Sequence, residues 1–223
     1  MPASVVKDLR VDVIESAVAM SRVGLCVNKS GNVSARARLN GVEGFWITPT
    51  GISYEELTPG DIVFVHLSEV LNFESEFNRL PSSEWAMHAE VYRHKPQVKA
   101  IVHTHSTYAT ALACCDMPIP AFHYMVAAAG GTEIPCAPYA LFGSKALAES
   151  AICTLGQLKA CLLSHHGVLT VGIDTKSALA LAQEVESLAK TYTVVRALGA
   201  GTVLDNSQMA EVLERFKTYG QQK

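Results

Sequence analysis

Apolar residues at Val6, Leu9, Val13, Ala17 and Met20 recur at spacings of three and four along residues 4–22, with Gly24 just beyond. That is the stripe of an amphipathic helix. After a glycine-bearing loop the pattern shortens to that of strands: residues 33–39 and 44–48 flank the turn pair Asn40-Gly41, which predicts a hairpin, and 62–67 reads as a further strand. Pro81-Ser82-Ser83-Glu84 predicts the start of a helix running to about His94, with a serine cap and an acid in its first turn. The β-branched run 99–104 predicts a strand, after which Ser106 caps a helix through Tyr108, Ala111 and Leu112. Further on, the sequence predicts a strand over 134–139, a helix over 144–155 and a strand pair at 161–163 and 168–171. A long helix capped by Asp174 is expected to bury Leu181, Val185, Leu188 and Tyr192. A last helix opens at Asn206-Ser207 with Met209, Val212, Leu213 and Phe216 as its stripe. Strands and helices alternate while hairpin signals persist. The expected fold is therefore α/β, a layered fold with a central mixed, mainly antiparallel sheet flanked by helices. No repeat or linker divides the chain, so residues 1–223 are expected to form a single domain, with 206–223 as a carboxy-terminal helix and mobile tail.

Composition narrows the class. The chain has 223 residues, 49% hydrophobic and 17% charged, with a net charge of -3, which excludes disordered, collagen-like and disulfide-scaffold proteins. No apolar run approaches the roughly 18 residues of a membrane span, and acids at Asp8, Asp12 and Glu15 stand where a signal peptide keeps an uncharged core. A cytoplasmic protein with no membrane partner is expected. A pI near 6.2 and the lack of a Lys/Arg cluster argue against a nucleic-acid partner, although a small phosphorylated ligand needs only a local site. Six cysteines form no C-x-x-C pair and several lie in apolar runs, so buried reduced thiols are expected.

Candidate chemistry begins with the histidines. His103-Thr104-His105 follows the apolar run Ala100-Ile101-Val102, and on a strand residues two apart share a face, so two imidazoles can reach one metal. The plainer alternative is a pair of hydrogen-bonded or exposed histidines. Ser164-His165-His166-Gly167 also ends an apolar strand, where alternation lets one of its two histidines join the first pair. A three-histidine site with an open position is the pattern of a catalytic zinc. Glu84 has three readings: an acid favoured by the helix dipole, a fourth ligand, or a general base. His88, four residues on, shares its helix face and reads as packing or support.

Ser30-Gly31-Asn32-Val33-Ser34, Thr48-Pro49-Thr50-Gly51 and Ser82-Ser83 each combine hydroxyls with accessible backbone N–H groups that can approach an oxyanion. Each alone is more often a turn or a cap. There is no Walker-type or dinucleotide glycine loop, which counts against nucleotide-dependent chemistry.

Taken in order, G-N-V-S at Gly31, I-T-P-T-G-I at Ile47, P-S-S-E-W at Pro81, H-T-H at His103, the block from Ile119 to Gly143, H-H-G at His165 and F-K-T-Y-G at Phe216 resemble the class II aldolase/adducin family over nearly the whole chain. The resemblance implies a zinc enzyme, a homotetramer with active sites at subunit interfaces. It would cleave an L-ketose 1-phosphate such as L-fuculose 1-phosphate to dihydroxyacetone phosphate and L-lactaldehyde. Carried onto this chain, His103, His105 and His166 match the zinc histidines, and Glu84 matches a residue that both binds zinc and moves protons. Gly31, Asn32, Thr50, Gly51, Ser82 and Ser83 match the phosphate pocket, with Phe142 among the substrate-binding residues. Tyr124 matches a proton donor offered by a neighbouring subunit, and Tyr219 a tail tyrosine that closes over the site. The chemistry agrees with the residues: aldol cleavage must stabilise an enediolate, and no lysine has an evident Schiff-base setting, so a Lewis-acidic cation is the available route. Relatives within the family epimerise L-ribulose 5-phosphate, decarboxylate, or dehydrate sugar phosphates, and the adducin branch is an interaction module without catalysis.

Overall fold

The computed structural model describes residues 8–68 and 73–218. Along the chain run helix α1 (Leu9–Arg22), strands β1 (Asn32–Leu39), β2 (Val42–Ile47), β3 (Val63–His66) and β4 (Phe73–Glu74), helix α2 (Trp85–His94), strand β5 (Ala100–Thr104) and helix α3 (Thr107–Ala113). There follow strands β6 (Ile119–Pro120), β7 (Glu133–Ile134) and β8 (Cys136–Ala137), helix α4 (Lys145–Leu155), strands β9 (Ala160–Leu163) and β10 (Gly167–Gly172), and helices α5 (Thr175–Ala197) and α6 (Asn206–Phe216).

Eight strands form one sheet in the order β4-β3-β2-β1-β5-β10-β9-β8, antiparallel throughout except between β8 and β9. The expected α/β architecture with a mixed, mainly antiparallel sheet is what the chain adopts. The hairpin β1–β2 closes with Leu39 opposite Val42, across Asn40 and Gly41 at φ of 50° and 83°. Two consecutive left-handed residues of this kind twist a two-residue turn to match the strands it joins.

Alternation along the strands sorts the core into layers. Phe45, Ile47, Val63, Val65, Ile101, Leu169 and Val171 face α2 and α4. Val33, Ala35, Ala100 and Val102 face α1 and α5, while Leu162 and Val168 pack with α3 and α5. In this alternation His103 shares the face of Ile101, the side covered by α2, and Asn32 and Ser34 of β1 share it too. Polar residues needed at one place therefore share one face of β1 and β5, beside the apolar Ile101.

Several expected details differ. The strand predicted over 134–139 divides at Pro135, which lacks the N–H to continue a ladder: β7 pairs with β6 in a separate two-stranded sheet and β8 joins the main one. The first helix is capped by Asp8, whose carboxylate accepts from the Arg10 N–H, and Val6 lies outside the described residues. The last helix is capped by Asp205 rather than by Asn206-Ser207. Asp174 caps α5 as expected, but that helix buries Val185 and Leu188 fully and leaves Leu181 and Tyr192 only half-buried. All six cysteines are free thiols, yet only Cys26 and Cys161 are buried, and Cys114, Cys115 and Cys153 are exposed. Among the described residues no helix is long and apolar enough to cross a membrane.

Candidate active site

Three imidazoles meet where β5 ends and β10 begins. The nitrogens of His103, His105 and His166 that can ligate a metal all lie within 4.8 Å of one another, and the three ring centroids are 4.8 to 4.9 Å apart. His103 is held by the sheet itself, opposite Asn32 on one side and Leu169 on the other. Its Nδ1 lies 2.8 Å from the Val168 carbonyl. A carbonyl can only accept, so Nδ1 carries the proton and the Nε2 lone pair is turned toward the cluster, 2.9 Å from Nε2 of His105.

The other two imidazoles arrive by turns, not by strand alternation. β5 stops at Thr104, so His105 lies just past the strand. Residues 164–166 form the turn between β9 and β10. In that turn His165 adopts the left-handed conformation, φ 52°, which throws its ring outward against Tyr139 and leaves His166 facing the cluster. His166 is thus the member of its pair that joins the site, as expected, but for a different physical reason. The turn is clamped on both sides: the His165 N–H donates to the Ala113 carbonyl, the Ser164 N–H to the Ala137 carbonyl, and the Ser164 hydroxyl to Asp116. Gly167 is required next to it, because a Cβ there would collide with the Thr104 carbonyl oxygen and come within 2.9 Å of the His105 ring. The helix after His105 is capped from a distance. Its Tyr108 and Ala109 N–H groups donate to the Glu186 carboxylate of α5, both at 2.9 Å, and Ser106, the cap expected from sequence, makes no side-chain cap bond.

The loops expected to hold a phosphate converge beside the imidazoles. A cavity of about 170 Å³ is lined by Gly31, Asn32, Thr50, Ser82, Ser83, Glu84, His105, His166 and Phe142, together with Ser30 and Pro49 of the same loops and Lys29, which no motif in the sequence marks. Backbone bonds sew the three loops together: the Thr48 N–H donates to the Val33 carbonyl, Ser82 N–H to Thr48, and Thr50 N–H to Leu80. Pro49 and Pro81 form an isolated antiparallel bridge. Gly51 sits beside the cavity at φ 76°, its carbonyl turned to the Lys29 ammonium. A Cβ at Gly31 would stand 2.7 Å from the His103 carbonyl oxygen, so this loop can approach β5 only with glycine there. Phe142 is 63% exposed at the rim, and the neighbouring Gly143 packs over the Ser83 carbonyl.

Glu84 is the acid of the cavity. It occupies the cap position of α2 without a side-chain cap bond, so Ser82-Ser83 end the loop instead of opening the helix, and the carboxyl is turned inward and buried. Burial raises its pKa to about 7, against the Gly143 N–H, which lowers it. The imidazoles shift the opposite way. Burial, then the neighbouring rings, holds His103 well below the ordinary histidine range, burial lowers His105, and His166 falls to about 4 through burial and then His105. All three are neutral at pH 7, the state in which imidazole ligates a metal. Nδ1 of His166 and Oε2 of Glu84 are buried without a hydrogen-bond partner among the described residues. Three neutral nitrogens with an adjacent carboxylate and two unmet polar atoms fit a divalent cation with an open position, and nitrogen-rich sets of this kind suit zinc.

Tyr124 stands apart from the cluster. Its ring, 46% exposed, stacks on His123 at 4.7 Å and lines an open groove with Leu204, Val212 and Phe216 of the carboxy-terminal segment. Tyr219 lies outside the described residues. His88, read as support, is wholly buried one turn after Glu84: its Nδ1 meets the Ser34 hydroxyl at 2.7 Å, which meets the Tyr92 hydroxyl at 2.8 Å. Burial takes its pKa from an ordinary 6.5 to about 3. The unfolded chain therefore gains a proton near pH 6.5 that the folded chain refuses until about pH 3, so this contribution to stability is complete above pH 6.5 and is lost as pH falls. The raised pKa of Glu84 acts in the opposite direction between 4.5 and 7. In metal-stripped protein, His88→Leu is expected to flatten the fall of unfolding free energy between pH 6 and 4 by up to about 1.4 kcal/mol per pH unit. Denaturant melts at several pH values measure it, and an unchanged slope would contradict a buried neutral ring.

This sheet, with three convergent imidazoles, a buried acid and a hydroxyl-lined pocket at one end, defines a metal-dependent lyase of the class II aldolase type. The chain belongs to the class II aldolase/adducin family, for residues 11–193 match the model of the Class II Aldolase and Adducin N-terminal domain. It is 45% identical over 209 residues to an L-fuculose phosphate aldolase of Escherichia coli O157:H7, covering 93% of this chain and 94% of that one. It is 42% identical over 222 residues to a 5-methylthioribulose-1-phosphate/5-deoxyribulose-1-phosphate aldolase of Rhodospirillum rubrum, covering 99% and 96%. A solved L-fuculose 1-phosphate aldolase superimposes with a TM-score of 0.88 at 36% identity, over 95% of this chain and 97% of the other.

Proposed function

We propose that the protein is a zinc-dependent aldolase that reversibly cleaves a ketose 1-phosphate, L-fuculose 1-phosphate or a close analogue, to dihydroxyacetone phosphate and a short aldehyde. The observation that carries this is the adjacency of the imidazole cluster to a cavity whose far wall is hydroxyls and backbone donors and whose acid has a pKa near 7. His103, His105 and His166 would hold the zinc, which when bound supplies positive charge to the carbonyl end of the ketose. The remaining work belongs to the chain. The loops at Gly31-Asn32, Thr50-Gly51 and Ser82-Ser83 hold the phosphate and fix the distance from it to the imidazoles. Breaking the C3–C4 bond requires the C4 hydroxyl to lose its proton as the new aldehyde forms, and C3 to gain one. Glu84, poised between its two protonation states, takes up or returns that proton. Tyr124 of a neighbouring copy exchanges a proton with the aldehyde oxygen, Tyr219 closes over it, and Phe142 bounds the rim. The active assembly is then a homotetramer with interfacial sites in the cytoplasm, one zinc per chain.

The relatives divide between fuculose-type and 5-deoxyribulose-type substrates, which share the phosphate and carbonyl ends and differ at the aldehyde. The test is release of dihydroxyacetone phosphate from L-fuculose 1-phosphate, beside 5-deoxyribulose 1-phosphate and beside epimerisation of L-ribulose 5-phosphate. Cleavage of one of the 1-phosphates at a kcat/KM at least ten times that of the other reactions is expected. Epimerisation without cleavage would overturn the proposal.

A further inference from the structure

Among the residues that line the cavity, Lys29 is the only lysine or arginine. It directly precedes Ser30-Gly31-Asn32, and its ammonium spans the entrance to the facing loop, donating to the Gly51 carbonyl at 2.6 Å. That carbonyl is its only hydrogen-bond partner among the described residues, which include no carboxylate paired with it. The side chain is exposed, so the ammonium is hydrated and free to turn.

The charge balance of the cavity gives this placement a use. A phosphate monoester carries about -1.5 to -2 at pH 7. The phosphate end offers hydroxyls, the Asn32 amide and backbone N–H groups, all neutral, and the one carboxylic acid lining the cavity, Glu84, adds no positive charge. A cation bound by the imidazoles serves the carbonyl end. An anion drawn into a small cavity on neutral donors alone leaves most of its charge uncompensated, and moving one ammonium from a carbonyl to a phosphoryl oxygen exchanges a neutral acceptor for a charged one.

Building on the reading of this cavity as a phosphate site, we propose that Lys29 is the counter-cation of the phosphate end: its Nζ leaves the Gly51 carbonyl and pairs with the phosphoryl oxygens of the bound substrate. The residue then sets preference for the doubly charged ester over an unphosphorylated ketose, and it contributes to binding, not to bond cleavage.

The test uses zinc-loaded protein with inorganic phosphate as the probe in isothermal titration calorimetry, on the wild type and on Lys29→Gln, Lys29→Met and Lys29→Arg. Glutamine keeps a donor for the Gly51 carbonyl and removes the charge. Lys29→Gln and Lys29→Met are each expected to raise the phosphate Kd by about 10- to 100-fold, and Lys29→Arg to recover most of it. KM for the cleaved 1-phosphate should rise in parallel with kcat within a few-fold. Wild-type affinity in Lys29→Gln would overturn the proposal and leave Lys29 as a brace for the Gly51 loop. Absence of phosphate binding to the wild type would instead show that the cavity is not a phosphate site, and the proposal would fall with that reading.

Discussion

Alanine at His103, His105 or His166 is expected to take bound metal from about one per chain to near none, with activity falling by at least the roughly 10²- to 10³-fold that loss of a preorganised charge stabiliser costs. Each ring supplies one of three nitrogens that lie within 4.8 Å of one another, and two remaining imidazoles cannot hold a tetrahedral site. His165→Ala is the control. Its ring points outward from a left-handed turn against Tyr139, so this variant should keep its metal and most of its activity. Metal analysis on protein purified without chelator, alongside circular dichroism, reads both results. Full metal in His166→Ala would sink the assignment of that turn.

Glu84→Gln is expected to keep the fold and most of the metal while losing about 10²- to 10⁴-fold in turnover, the usual contribution of a general acid-base group. The substitution is nearly isosteric at a buried position, three imidazoles remain, and what disappears is the one group lining the cavity whose pKa burial brings near 7. Rate and metal content must be measured on the same preparation. A near wild-type rate would reduce Glu84 to a residue that only ends a loop and begins α2.

Most of this site was visible in the chain before its geometry was, and the exceptions have physical causes. H-T-H and H-H-G were readable because metal ligation restricts residue type severely. The alternation used to orient them holds for His103 alone, since His105 and His166 sit beyond the ends of β5 and β9 where turn conformation decides direction. Three short hydroxyl-bearing loops, each unremarkable alone, gain meaning only through the hydrogen bonds from Thr48, Thr50 and Ser82 that gather them, and such non-local pairing leaves no periodic trace. Lys29 was passed over because a single lysine beside a loop resembles any surface lysine. After α1, which starts at Leu9 and not at residue 4, helix starts were placed within a residue or two, but that of α3 was credited to a Ser106 cap where the acceptor comes from Glu186, about 80 positions away. The split at Pro135 was missed in a strand expected over 134–139, although a proline within a run of strand formers marks where one ladder must end.

The pairing of β5 with β10 has a consequence for how the protein matures. His103 and His166 are 63 positions apart, and the strand neighbours that bring them together form only once that intervening chain has closed on itself. A nascent chain still lacking β10 has no pairing to hold His166 beside the other two imidazoles, so any cation would be acquired after the middle of the sheet is zipped, late in synthesis. Uptake of a coloured ion such as cobalt, followed in time during refolding, would then act as a stopwatch for that one strand pairing.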